Sequence, residues 1–132
     1  MPANHKIDIK ARLLITTWEG AAHDIELIKE LKKYQEDIQN HPDYIDYNEV
    51  LDCSNVTKIK LTSEGIQNIA RIASNADQSG SNRKLAFIVG SSLAFGLARM
   101  YEIYRGLAKK GQKKIRIFKN KKDAFEWVQD KS

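Results

Sequence analysis

Residues 50–70, VLDCSNVTKIKLTSEGIQNIA, hold the turn on which the reading of this chain rests. An apolar run closes at Asp52 and Cys53, a polar stretch follows, and Ile66, Ile69, Ala70, Ile72 and Ala73 then recur on one helical stripe. The segment is a strand leading into a helix, with Thr62 as the expected N-cap and Glu64 placing negative charge in the first turn. In open α/β sheets, ligands and partners are met where strands end and helices begin.

The same alternation extends in both directions. Upstream, residues 6–9 (KIDI) suit a short edge strand, and residues 12–18 (RLLITTW) a strand closed by Glu19-Gly20. Residues 23–39 follow with Leu27, Ile28, Leu31, Tyr34 and Ile38 on one helix face, ended by His41-Pro42-Asp43. The strand before the turn is expected over residues 47–53, and the helix after it over residues 63–75. Downstream come a polar turn at residues 78–82 and a continuous apolar strand at residues 84–89 (KLAFIV), the pattern of a buried central strand. Gly90-Ser91-Ser92 opens a third helix, which Gly111 ends; Leu93, Leu97, Met100 or Tyr101, and Tyr104 form its expected inward stripe. Gly96 within it suggests close approach of another backbone or of a partner. An alternating edge strand, KIRIF at residues 114–118, and a short helix from Asp123 to Gln129 complete the order β(β)αβαβαβα.

These elements describe an α/β fold: a mostly parallel sheet of four or five strands in sequential order, with helices mainly on one face. Right-handed crossovers between neighbouring strands put every helix on the same side. The other face is then left partly open, and Glu49 beside Tyr47 and Arg116 beside Phe118 suit such a surface.

At 132 residues, 42% hydrophobic, the chain forms one domain over residues 1–132, with no repeat or linker. It has no apolar run of spanning length and no apolar leader, and its single cysteine, Cys53, excludes an internal disulfide; a cytoplasmic location is expected. The net charge is +5, yet residues 105–122 contain nine basic residues and no acid, so the rest of the chain is net negative. Such a segment can attract nucleic acid, through Arg105, Lys109, Lys110, Lys113, Lys114 and Arg116. Only Phe118 interleaves with the charge, so nucleic acid is not the expected partner.

The run from Val50 to Ile59, followed by a helix, resembles the signature of STAS domains: a buried strand ending in Asp and Ser, a Val-Thr turn, then a helix. The C-terminal half, from Ala86-Phe87-Ile88-Val89 through residues 93–101 to Ile115–Phe118 and Asp123–Val128, resembles small uncharacterised bacterial proteins with the SpoIIAA-like fold. Together the two resemblances cover residues 6–130. They imply a non-enzymatic, regulatory or protein-interaction domain akin to anti-sigma factor antagonists, with a protein partner or a second copy of the chain. Contact is then expected at Val56, Thr57, Lys58, Thr62, Ser63 and Gly65.

Kinase-regulated members carry Asp-Ser-Ser-Gly at the turn. This chain has Lys60-Leu61-Thr62-Ser63-Glu64-Gly65, which leaves Ser63 or Thr62 as the candidate phosphorylation site and puts Glu64 against the phosphate. SpoIIAA-like sheets are also akin to the CRAL-TRIO lipid-transfer fold. That implies an alternative: a lipid-like apolar ligand or an anion held near Ser92, Phe95, Arg99 and Tyr101.

No catalytic constellation stands out, and no cofactor or metal is expected. His5, His23 and His41 fall in element ends and loops and read as exposed polar residues. Cys53 reads as a buried structural thiol, and Ser91-Ser92 as capping residues without the G-x-S-x-G of a nucleophile elbow. Asp52 lacks the companion acidic pair of a phospho-acceptor site.

Overall fold

The computed structural model describes residues 3–76, 83–107 and 114–130. The expected turn at residues 78–82 and the expected end of the third helix at Lys109, Lys110 and Gly111 lie outside them.

Five strands form one sheet in sequential order: β1 (Ala3–Asp8), β2 (Leu13–His23), β3 (Asn48–Lys60), β4 (Lys84–Val89) and β5 (Lys114–Phe118). The β1–β2 pair is antiparallel and the other three pairs are parallel. Between parallel neighbours run α1 (Asp24–Asn40), α2 (Ser63–Ala76) and α3 (Ser92–Leu107), and α4 (Lys121–Gln129) closes the described chain. A 3₁₀ turn at Pro42–Asp46 links α1 to β3.

Both strands flanking α1 are longer than their sequences announce. β2 continues past Glu19-Gly20, and β3 past Cys53 to Lys60. The added residues pair with each other, Glu19 with Asn55 and His23 with Lys60, with the register shifting at Gly20. Gly20 takes φ 77°, a left-handed conformation that favours glycine, and the Trp18 indole donates to the Ala21 carbonyl at 2.9 Å across the bend. The stretch expected as a turn at Val56–Lys58 is therefore strand, because parallel pairing supplies bonds that local propensity does not.

Alternate residues of β4 separate the two faces. Ala86 and Ile88 join Leu13, Val50, Ala124 and Val128 in a cluster under α4, each exposed by only 0 to 2%. Leu85, Phe87 and Val89 point the other way, toward Ala98 of α3. So α1, α2 and α3 share one face while α4 lies on the opposite one. The expectation that every helix falls on one side fails at α4, which packs through Ala124 and Val128 on the face expected to stand open.

The α4 contact is fastened by polar bonds. The Asn48 amide donates to the Val128 carbonyl at 2.7 Å and accepts from the Lys84 amide at 2.9 Å. Lys84 Nζ donates to the carbonyls of Trp127 and Asp130, as suits a helix C-terminus. At the other end, Asn120 caps α4 by accepting from the Asp123 amide at 2.9 Å.

Candidate functional site

On the α1–α3 face the packing is looser: α3 meets β4 and β5 through Ala98 and Tyr101, while α1 roofs a space over the sheet. Not one residue of the 17-residue helix α1 is buried. Its apolar stripe, Leu27, Leu31, Tyr34 and Ile38, faces a cavity of about 560 Å³ whose floor is β2, β3 and β4. From α2 the wall takes Ile66, Ile69 and Ala73, and from α3 Ala94, Leu97, Ala98 and Tyr101. Trp18, Cys53, Val56, Ile59 and Leu61 line the end toward the extended β2–β3 pair. The volume lies within the range of sites that take small organic ligands, about 300–1,000 Å³.

The wall is apolar except around the starts of β3 and β4. There Tyr34 donates to Glu49 Oε2 at 2.6 Å, and Arg83 Nη2 pairs with Glu49 Oε1 at 3.0 Å. Arg83 Nε donates to the Tyr47 carbonyl at 2.7 Å. Burial, reinforced by the Glu49 charge and hydrogen bond, pushes the Tyr34 phenol well above its usual range, so it stays a donor. Alongside, His5 Nδ1 shares a hydrogen bond with Thr16 Oγ1 at 2.8 Å, and its Nε2 lies 3.5 Å from Glu30. Two expectations are corrected here. Glu49 and Tyr47 are buried rather than set on an open face, Glu49 under Tyr34 and Arg83 and Tyr47 against Arg12 and Tyr44, and His5 is half-buried in β1 rather than exposed.

Cys53 sits on the cavity wall. Burial, helped by the neighbouring Asp52 charge, raises its thiol to about 12, which leaves it a poor nucleophile. Burial opposes ionisation of Asp52, but bonds from the Ser54 hydroxyl at 2.6 Å and amide at 3.0 Å, with Lys121 at 3.4 Å, outweigh it and hold its carboxyl below the usual range.

The residues expected to meet a partner divide by position. Val56 is half-buried on the cavity wall, while Thr57, Lys58 and Ser63 are exposed. Thr62 caps α2: its Oγ1 accepts from the Gly65 amide at 2.9 Å and donates to Asp24 Oδ2 at 2.7 Å, and its amide donates to Asp24 Oδ1 at 3.1 Å. The start of α2 is thus fastened to the start of α1. Gly65 is buried against this junction, where a Cβ would lie 2.2 Å from the Asp24 carboxylate. A phosphate on Thr62 would face that carboxylate.

Of the four residues expected to form a ligand pocket, Tyr101 lines the cavity and the other three do not. Ser92 is exposed, Arg99 pairs with Glu102, and Phe95 packs beside Ile117 with Lys119 over its ring. Ser91 caps α3 by accepting from the Ala94 amide at 3.1 Å. The inward stripe of α3 keeps Leu97 and Tyr101 from the expected one but is shifted: Ala94, Ala98 and Arg105 also face in, while Leu93 is 60% exposed. Around Gly96 nothing among the described residues stands within 4 Å of a built Cβ, so no described backbone approaches it.

The residues that sequence reasoning missed are Trp18, Glu30, Glu49 and Arg83. The α1 stripe was legible as an inward face, but nothing in its spacing says that it fronts a space. Among the described residues, no group of three or more His, Cys, Asp or Glu is placed to hold a metal ion, and no helix is long and apolar enough to cross a membrane.

No family model matches the chain, and no curated protein matches it. A solved structure does: an uncharacterized protein of the DUF3478 family with a SpoIIAA-like fold from Shewanella loihica, 11% identical, with a TM-score of 0.60 over 96% of this chain and 91% of that one. The sheet order, the crossovers and this likeness agree that the chain has a SpoIIAA-like, STAS-like fold.

Proposed function

We propose that this protein is a non-enzymatic binding domain that takes one small apolar molecule into the space between its sheet and α1–α3. The observation that carries this is α1: an apolar stripe of three to four turns with no buried residue, facing a cavity of about 560 Å³. Left to solvent, that space keeps the apolar faces of α1, α2 and the sheet in contact with water. Water is a poor occupant of walls made by Leu, Ile and Phe, which offer it few bonds. An apolar ligand completes the burial that α1 lacks. Binding fits better than catalysis because Tyr34, Glu49 and Arg83 are bonded to one another and the Cys53 thiol is not activated.

The test is a titration with phenylnaphthylamine, a neutral apolar fluorophore that brightens when it leaves water. Saturable binding of one molecule per chain is expected, lost in Ala73→Trp, which puts an indole into the space, with helical content retained. A folded protein that gave no saturable signal would contradict the reading.

A second reading, a regulatory domain with a protein partner, is favoured by a separate observation. β4 pairs with β3 only as far as Val89 and Cys53, so among the described residues β3 from Asn55 to Lys60 pairs on the β2 side alone. A strand edge of this kind accepts a partner strand. A specific protein retained from the native host, and lost with Thr57→Pro, would support it; a folded bait that retains none contradicts it.

A further inference from the structure

We propose that the cavity's ligand carries an uncharged head bearing a hydrogen-bond donor, chemically a long-chain alcohol or amide, seated among His5, Glu30, Tyr34, Glu49 and Arg83. This rests on the cavity reading above and names the chemistry that the cavity selects. Apart from Thr16, Gln35 and Gln39, the rest of the wall offers apolar surface to a tail, so a polar head goes to the end where the charged groups gather.

Charge at that end decides the head. Arg83 is balanced by Glu49 at 3.0 Å, and its Nε is committed to the Tyr47 carbonyl. The two side chains are only 9% and 10% exposed, so each charge faces the other before any ligand arrives. Glu30 then adds a second carboxylate, 3.5 Å from His5 Nε2, with the other ring nitrogen held by Thr16. An anionic head would leave water to meet the Glu30 carboxylate, with the Arg83 guanidinium already balanced by Glu49. A cationic head would draw Glu30 from His5 or Glu49 from Arg83, and breaking a buried pair is costly. A hydroxyl or amide N–H loses far less on burial. Glu30 can accept it, since a carboxylate offers about four lone-pair sites.

The experiment displaces bound phenylnaphthylamine with decanol, decanoate and decylamine, which share a tail length and differ in the head. Decanol is expected to compete at concentrations about tenfold or more below those of either ion. Because a neutral molecule also leaves water more readily, the comparison is repeated in Glu30→Gln, which removes the second carboxylate at nearly constant shape. The decanol-to-decanoate ratio is expected to fall about threefold or more in that variant. Decanoate or decylamine competing as well as decanol would overturn the head-group assignment, as would a ratio unmoved by Glu30→Gln. In either case the cavity reading stands, since the fluorophore is bound. Failure of the wild-type chain to bind the fluorophore would overturn both.

Discussion

The two faces of this sheet are made by the same strands and end in opposite states. Under α4, Leu13, Val50, Ala86, Ile88, Ala124 and Val128 close to 2% exposure or less. Under α1–α3, Leu51 and Cys53 of β3 are only half-buried, and with Leu85 and Phe87 they line an open space. Apolar content therefore does not decide whether a face is sealed. What differs is the span. α4 is a short helix laid directly on β3–β5, with Ala124 at the contact and Asn48 and Lys84 tying down its C-terminal end. The crossover helices are tied to one another instead, α1 to α2 through Asp24 and Thr62, α1 to α2 again through Gln35 donating to the Ile72 carbonyl at 3.2 Å, and α2 to α3 through Gln67 and Tyr104 at 2.9 Å. They form a roof that rests on β4 and β5 through Ala98 and Tyr101 of α3 and bridges the sheet elsewhere.

The contrast is broken most severely by truncating one residue from each face. Ile88→Ala should cost about 2–5 kcal/mol in urea unfolding, since neighbours packed this closely cannot collapse into the gap. Leu31→Ala should cost less than about 1 kcal/mol, because its side chain already fronts a cavity. Equal costs would mean that the two faces are packed alike.

Cys53 sharpens the comparison chemically. With its thiol at about 12, reaction with a disulfide reagent at neutral pH should be on the order of fiftyfold slower than that of a free cysteine, even after allowing for the greater nucleophilicity of a more basic thiolate. Fast labelling of the native protein would show that this wall is wetter than its side chains imply.

Smaller effects probe the roof. Gly65→Ala should cost about 1 kcal/mol, because the Asp24 carboxylate must swing aside and give up Thr62. In that background Asp24→Ala should add little, and a full additive loss in the double variant would contradict the junction. Gly96→Ala should stabilise the protein by less than about 1 kcal/mol, since its Cβ meets nothing. A loss there would show that Gly96 is packed against something after all.

The sequence carried the order of elements, the sequential parallel sheet, the α1 stripe at Leu27, Leu31, Tyr34 and Ile38, and the caps at Thr62 and Ser91. It failed where tertiary pairing overrides local preference. Residues 19–23 and 54–60 hold Gly, Ser and Asn that read as turns, and become strand only because each segment finds the other. In α3, two apolar faces compete, and the small pair Ala94 and Ala98 turns inward in place of Leu93. The cavity was not legible because periodicity reports which residues point inward, and not how far the opposing element stands.

The most direct test of this account follows methyl resonances by NMR while decanol is added. Leu31, Ile69 and Leu97, on the cavity wall, should shift saturably and together. Leu13, Ile88 and Val128, under α4, should stay in place. Wall methyls that do not respond, or two faces that respond alike, would contradict the claim that one face of this sheet is sealed and the other is built to be filled.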